Sequence, residues 1–452
     1  MKKSVSIVLL FTAIASADAP RQPDPTSPAP SSTVGQPGAL VLTLQQALDI
    51  AARQQPSLRQ SKASAEAAAA RVDQAKVILH PTASLGASLG TGSKSPHSCT
   101  AADGTLSTCG GGFFTAGLST GLSAQASWRI YDFGLTAANI RAAEANAAAA
   151  AAGIDTSVLD IRKSVESAYF EAVARARLIK VAEATVASEE GHLDQAKRFV
   201  AAQAKDPIEV AQAQARAANA RSALAQAHSN EAVALANLRA AIGWIDAAHS
   251  PVVEGSWPEP PAELPELTAM VDTARKKRPE IVQLDKQILA ADASLTAAHA
   301  EQRPVIAASA QAAWSPNDGN WSPEPVWTAG LSLSWPILDG GKSRADVRLA
   351  NANLANAVAS RDALLVSLTS ELDSARAQIV ANRANVQAST EAVDAAKSQL
   401  HLADGRYAQG LGSQIELADA QTAVTTAEGN LVLAEYQLAD AWAQLRRALG
   451  QI

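Results

Sequence analysis

The stretch "SWPILDGGKS", residues 334 to 343, ends in Gly-Lys-Ser, the tail of the loop that cradles phosphate with backbone amides. That loop needs a second glycine five positions before Gly341, where the chain must turn tightly, and Pro336 stands there instead. The nucleotide reading fails on that residue. The seven histidines, at 80, 97, 192, 228, 249, 299 and 401, are dispersed without ligand-like spacing. No Ser, Cys or paired-carboxylate arrangement sits in a recognisable catalytic context, so neither an enzyme's machinery nor a cofactor site is written here. Cys99 and Cys109 lie ten apart in "CTAADGTLSTC", between turn-forming residues. In an exported chain that pair reads as a local disulfide; a metal pair, with only His97 as a soft neighbour, is the weaker alternative. Glu416 and Asp419 stand at i and i+3, on one face of a helix. Spacing alone makes them solvated acids on a polar surface.

The elements that would position such residues follow from composition. The chain has 452 residues, 47% of them hydrophobic but only 4% aromatic, and alanine fills the difference. Such a chain cannot pack a thick core, yet suits close helix-to-helix contact in thin layers. A net charge of -6 points away from a nucleic-acid partner. Lys2, Lys3, the apolar run from Val5 to Ile14 and Ala15-Ser16-Ala17 read as a secretory signal over residues 1–17, with no cysteine after it for lipid attachment. Residues 18–40, rich in Pro, Ser, Thr and Gly, read as an extended tether. No later stretch holds 18 consecutive apolar residues, so any membrane crossing falls to strands.

The chain is written twice. "SWRIYDFGLTAANIRAAEANAAAA" (127–150) aligns without gaps on "SWPILDGGKSRADVRLANANLANA" (334–357), sharing twelve of 24 residues, seven of them not alanine. The offset of 207 returns where "LRAAIG" from Leu238 matches "LRRALG" from Leu445. Upstream, Pro56 and Pro81 match Pro279 and Pro304 at an offset of 223, so the first half carries sixteen extra residues around the two cysteines. This divides the chain into a first repeat (41–243), a linker (244–265) and a second repeat (266–452). Within the second repeat, Val358, Leu365, Leu372, Ile379, Val386, Val393, Leu400 and Tyr407 recur every seven residues, mirrored in the first from Ala151 to Val200. A strict seven-residue stripe is a coiled-coil seam. A return seam runs from Leu417 to Ala448, with its counterpart from Val210, and Gly405, Gly410, Gly412 and Pro207 read as the breakers between paired helices. Each repeat is thus a long antiparallel helical hairpin preceded by a shorter helix; a helix from 341 to about 405 would be on the order of 100 Å long.

Before each hairpin the period drops to two. Trp327, Ala329, Leu331, Leu333 and Trp335 alternate with Thr328, Gly330, Ser332 and Ser334, and the same pattern runs from Leu122 through Trp128 to Ile130. Residues 81–90 and 305–314, the latter closing on Trp314, are the partner strands. A soluble sheet with one buried face would read this way too. Strands about nine residues long with aromatic ends also suit an outer membrane, with Trp128, Trp314, Trp327 and Trp335 at its interfaces. Four strands cannot close a barrel, whereas four from each of three subunits give twelve.

These features together resemble the TolC family of outer-membrane efflux proteins, over nearly everything from Leu42 on. The resemblance rests on the duplication, the two strands then a hairpin per half, "PILDGG" at Pro336 and "RYAQGLGSQIELADAQ" at Arg406. It implies a mainly α fold with a membrane β part: a homotrimer whose twelve-stranded barrel continues into a twelve-helix periplasmic tunnel. It implies an exit duct in the outer membrane, docked through a periplasmic adaptor to an inner-membrane pump, for efflux or, alternatively, type I protein secretion. The periplasmic gate it implies is formed by Glu416 and Asp419, with Glu209 as the first-half match and Gln212 in place of the second acid. Adaptor contact maps to Arg406, Gly410 and Leu411. The first tip, "RFVAAQAKDPIEVAQAQ" from Arg198, departs from the pattern, with Ala202 where glycine is usual, one extra residue and Pro207 opening the return helix. A periplasmic adaptor itself is the rival, but it would carry one hairpin without duplication or tryptophan-ended strands.

Overall fold

The computed structural model describes residues 41–93, 97–100, 106–109, 116–245, 252–253, 255–314 and 325–451. The signal and tether expected over 1–40 lie outside them, as do the side chains of Cys99 and Cys109. The first half runs β1 (Val41–Leu42), α1 (Leu44–Gln54), α2 (Pro56–Lys76), a short 3-10 turn, β2 (Thr82–Ser93), β3 (His97–Thr100), β4 (Leu106–Cys109), β5 (Ala116–Tyr131), α3 (Leu135–Ala201) and α4 (Ile208–Ile242). The second half runs β6 (Val252–Val253), α5 (Leu267–Lys277), α6 (Pro279–Ala300), β7 (Val305–Trp314), β8 (Val326–Ser334), α7 (Lys342–Ala408) and α8 (Gln414–Ala448).

The long helices α3 and α7 have 67 residues each, about 100 Å, and the return helices α4 and α8 have 35 each. Their seams are made of the residues the seven-residue period picks out. Leu193 and Ala196 of α3 bury with Ala213 and Ala217 of α4; Val393, Ala396 and Ala403 of α7 bury with Leu417, Ala420, Val424 and Ala427 of α8. Alanine at these positions lets the backbones approach closely, and the large side chains cluster where the short helices add a layer. One such cluster packs α1 and β6 on Val165, Phe170 and Leu238; the other packs α5 on Leu368, Leu372, Ile379 and Leu445. The helices α1 and α5 were not expected from the sequence. Thr43 caps α1 in a reciprocal capping box with Gln46, but the eleven residues themselves hold too few periods to stand out.

Each return helix is continued end to end by the short helix of its own half. Gly243, at φ 72, ends α4 against Gln55, whose side-chain amide donates to the Ala241 carbonyl at 2.8 Å. Gly450, at φ 68, ends α8 against Arg278 in the same manner. A Cβ on Gly243 would sit 2.9 Å from Gln55 Cα, and one on Gly450 would sit 3.0 Å from Arg278 Cα, so the end-to-end stack requires glycine twice. Proline follows at the first position of α2 and of α6, where its missing amide costs nothing.

The four-stranded sheet has the order β2-β5-β7-β8, all antiparallel. The helices adjoin in the matching order: α2 with α4, then α3, then α6 with α8, then α7. Both layers therefore end at the same two edges, β2 over α2 and α4 on one side and β8 over α7 on the other. Within each hairpin the buried seam is apolar and ion pairs such as Arg216–Glu189 and Lys397–Glu428 flank it, while between hairpins α3 and α8 also meet through polar pairs. Arg177 reaches Glu435 at 2.9 Å, Thr185 meets Thr425 at 2.9 Å, Ser188 donates to Gln421 at 2.7 Å, and Ser167 bonds Asp440.

Two expectations change. Gly405 lies inside α7 rather than breaking it, because a single glycine costs only about 1 kcal/mol in a helix held by its neighbours. The region of the extra residues carries a small ribbon, β3 with β4, whose backbone register sets Cys99 opposite Ser107 and Cys109 opposite His97.

Candidate functional site

The strand-to-helix corner is built identically in both halves. Asp132 accepts from the Gly134 amide at 3.3 Å and the Thr136 amide at 2.8 Å; Asp339 accepts from the Gly341 amide at 2.9 Å and the Ser343 amide at 2.8 Å. The hydroxyls of Thr136 and Ser343 donate to the same carboxylates. These donors hold Asp339 down at about 2, the Ser343 hydroxyl contributing most. At Asp132 burial pushes upward, but the Thr136 and Gly134 donors with Arg129 outweigh it and lower the carboxyl. Lys342 and Ser343 are simply the first residues of a capped helix. Beside each corner a tryptophan ties the strand to the preceding helix: the Trp128 indole donates to the Leu79 carbonyl at 3.1 Å, and Trp335 to Gln302 at 3.2 Å. Arg303 bridges the halves there, donating to the Phe133 carbonyl at 2.9 Å.

Above the corner, register puts Leu85, Ala124, Ala312 and Trp327 in one row, and Ala83, Ala126, Ala310 and Ala329 in the next. That face is apolar in these rows, and Leu85, Leu89, Leu331 and Leu333 on it are largely exposed. Trp314 and Trp327 stand at the far end of the sheet from Trp128 and Trp335. On the opposite face a hollow is lined by Ser84, Gln125, Ser127, Ser309, Gln311 and Thr328. Among the described residues no helix is long and apolar enough to cross a membrane, and no cluster of three His, Cys, Asp or Glu could hold a metal ion.

At the other end, about 100 Å away, the hairpin tips meet. In the second tip Gly410 takes φ 74, the Leu411 and Gly412 amides return to the Arg406 carbonyl at 2.9 and 3.0 Å, and Ser413 caps α8 through the Glu416 amide at 3.1 Å. In the first tip the left-handed residue is Gln203, at φ 57, and Asp206 accepts from the Ile208 amide at 3.0 Å. Gln203 and Gly410 are 207 apart, as are Asp206 and Ser413, so the tip holds no extra residue and Arg198 corresponds to Gly405, not Arg406. The mismatch arose because "RF" and "RY" look alike in sequence while the turn is set by the residue that reverses the chain.

The candidate acids separate. Glu416 is half-exposed with Arg406 at 3.4 Å, and Asp419, one turn on, is exposed with no ion-pair partner among the described residues. Glu209 instead joins the two tips. Its carboxylate accepts from the Tyr407 hydroxyl at 2.9 Å and lies 3.6 Å from Lys205, and its carbonyl accepts from the Gln414 side chain at 2.9 Å. Lys205 also donates to the Gly412 carbonyl at 3.3 Å and sits 5.2 Å from the Tyr407 ring, which packs edge-to-face on Phe199 at 5.6 Å. Burial and then Glu209 push the Tyr407 phenol up to about 12, so it remains a donor. Gly410, Leu411 and Arg198 are exposed around this cluster. Sequence reasoning missed Lys205, Phe199 and Gln414 as partners; Tyr407, the one aromatic residue ending an aliphatic seven-residue stripe, was the available signal.

Three likenesses bear on this arrangement. Protein CyaE of Bordetella pertussis is 27% identical over 417 residues, 91% of this chain and 84% of its own. The solvent efflux pump outer membrane protein SrpC of Pseudomonas putida is 31% identical over 176 residues, 38% of this chain and 37% of its own. The crystal structure of the CmeC outer membrane channel of Campylobacter jejuni superposes with a TM-score of 0.75 at 17% identity, covering 90% of this chain and 85% of that one, which establishes the shared fold. The model of the family described as outer membrane efflux protein matches residues 47–244 and 270–451, taking in both hairpins and both strand pairs. The chain therefore belongs to the outer membrane efflux protein family: a channel protein of the outer membrane extending into the periplasm, and not an enzyme.

Proposed function

We propose that three copies close sheet and helix layer into one tunnel, the exit duct of a tripartite efflux or export assembly. The observation that carries this reading is the shared lateral order of strands and helices, which leaves matching open edges on both layers. An edge strand with free amides and an apolar face cannot stand alone in lipid, because each unsatisfied group there costs several kcal/mol. Closure by copies satisfies every edge, and three copies bring the four strands of each to twelve. Trp128 and Trp335 then mark one interface and Trp314 and Trp327 the other, while Ser84, Gln125, Ser309 and Gln311 line a wet lumen suited to small-molecule cargo. At the periplasmic end Glu416 and Asp419 of the three copies form a ring that favours cations, with the Glu209–Tyr407 bond holding the tips together. Arg406, Gly410, Leu411 and Arg198 form the surface for a periplasmic adaptor, which links the duct to an inner-membrane pump, and Cys99 and Cys109 staple the lengthened first loop.

Membrane fractionation and mass measurement in detergent test this reading. It expects an outer-membrane trimer whose mobility on a denaturing gel changes on heating and which forms cation-preferring pores in planar bilayers. A soluble periplasmic monomer would refute it.

A further inference from the structure

The polar face of the sheet is kept thin along β2 and β5. Residues two apart share a face of a strand, so Ser84, Gly86 and Ser88 of β2 stand with Gly121, Ser123 and Gln125 of β5. Ser123 is set opposite Gly86, and Ser88 opposite Gly121. A Cβ on either glycine would stand 2.9 Å from the facing hydroxyl, so serine and glycine must alternate across this pair of strands. On the corner side of Gln125 the next row is Thr82, Ser127, Ser309 and Gly330, again short. Arg129, one row further, is drawn to Asp132 at 3.6 Å.

Gln125 and Gln311 depart from this together. Register puts them directly opposite each other, between Ser84 and Thr328 in one row, and the rows on either side carry nothing longer than Thr82 or Val326. Each glutamine holds its polar group two carbons farther from the backbone than serine does. Both are exposed, and neither side-chain amide bonds a described residue. A cross-strand pair retained to hold the sheet would bond to itself; these two amides line the hollow side by side instead.

We propose that Gln125 and Gln311 are the specificity-determining residues of the outer bore, a belt that sets its width. In a ring of three copies, three such pairs stand at one level and reach further into the lumen than the rows above and below them. The belt is neutral, and each amide offers both donors and an acceptor, so it sieves cargo by width and hydrogen bonding and is blind to the sign of charge. Hydroxyl- and amide-bearing molecules exchange water for belt amides as they cross, while discrimination by charge is left to the acids at the tips. This rests on the closed-ring reading and adds which side chains set the width and the charge-blindness of its outer part.

The test has two arms. In a Cys99→Ser, Cys109→Ser background, Ser123→Cys lies on the mouth side of the belt and Ser127→Cys on the corner side. Intact cells are treated from outside with maleimide-polyethylene glycols of increasing mass. Ser127→Cys should refuse the larger reagents that Ser123→Cys accepts, and adding Gln125→Ser with Gln311→Thr should erase that difference. Separately, Ser127→Cys is treated with a cationic and an anionic thiosulfonate of equal size; adding Gln125→Glu with Gln311→Glu should raise the cationic-to-anionic rate ratio on the order of ten-fold. One mass cut-off shared by both positions, or a rate ratio unmoved by that pair of substitutions, overturns the belt, while the labelling itself upholds the closed ring. If no charged reagent reaches either position with the native glutamines in place, the bore is absent and the closed-ring reading falls with it.

Discussion

Replacing Tyr407 by Phe removes one oxygen from the tip and leaves the packing alone. The ring keeps its edge-to-face contact with Phe199 and its place beside Leu417 and Ala420. What goes is the 2.9 Å hydrogen bond to Glu209. A bond to a charged acceptor contributes about 1.5–3 kcal/mol, and since Glu209 retains Lys205 at 3.6 Å, the lower figure applies. If three copies open together, the loss is roughly 4–5 kcal/mol, a change in the closed-to-open ratio on the order of a thousand-fold. Single-channel recording in planar bilayers should show a larger conductance for Tyr407→Phe at neutral pH, with thermal unfolding unchanged. The wild type adds an internal control. Its phenol is raised from 10.0 to about 12, so the lock is complete below about pH 10 and is lost as pH rises through about 12. The wild type should open across that alkaline window, and the variant should show no such step. An intact variant with wild-type conductance and a wild-type alkaline profile would refute the lock.

Further perturbations separate the other parts. Replacing Glu416 and Asp419 together by alanine should lower cation preference, read as a reversal potential under a salt gradient; an unchanged potential removes both from the ring. Leu331→Arg places a charge on the apolar face near mid-sheet and should cost about 2–4 kcal/mol of insertion, whereas Ser332→Arg next to it should assemble; equal outer-membrane yields would reverse the assignment of faces. Asp132→Ala should destabilise the strand-to-helix corner by about 1–2 kcal/mol in denaturant unfolding, because it strips the acceptor from the Gly134 amide just before α3 and the Thr136 amide in its first turn. Asp339, held at about 2 against an ordinary 3.8, contributes fully above about pH 4 and loses its contribution as pH falls through 2. Asp339→Asn should therefore flatten the acid side of the stability profile, and an unaltered acid slope would argue against that cap.

The long elements were legible because their signals are long. Eight successive seam positions from Val358 to Tyr407 leave no alternative to a hairpin helix, and nine alternating residues from Trp327 set the face of β8. The short elements were not: α1, α5 and the two-residue strands β1 and β6 exist because the inter-repeat chain is pressed onto the helices, as where Trp257 lies 3.9 Å under the Arg177 guanidinium and Arg383 bonds the carbonyls of Pro260, Pro261 and Ala262. No local pattern encodes a contact between residues more than 120 apart.

At the tip the acids show the same division. Sequence placed Glu209 beside Glu416 because they occupy matching positions in two copies of one motif. Tertiary structure gave them different work: Glu416 stays at the surface with Arg406, while Glu209 faces Tyr407, a partner 198 residues away. By itself, then, the sequence determined the duplicated plan, the hairpins and the strand faces, since each depends on periodicity along one segment. Only the tertiary structure decided which repeated side chains are covered and which are left open, because covering depends on lateral neighbours, and a chain that repeats its faces in one dimension has a second edge when it folds.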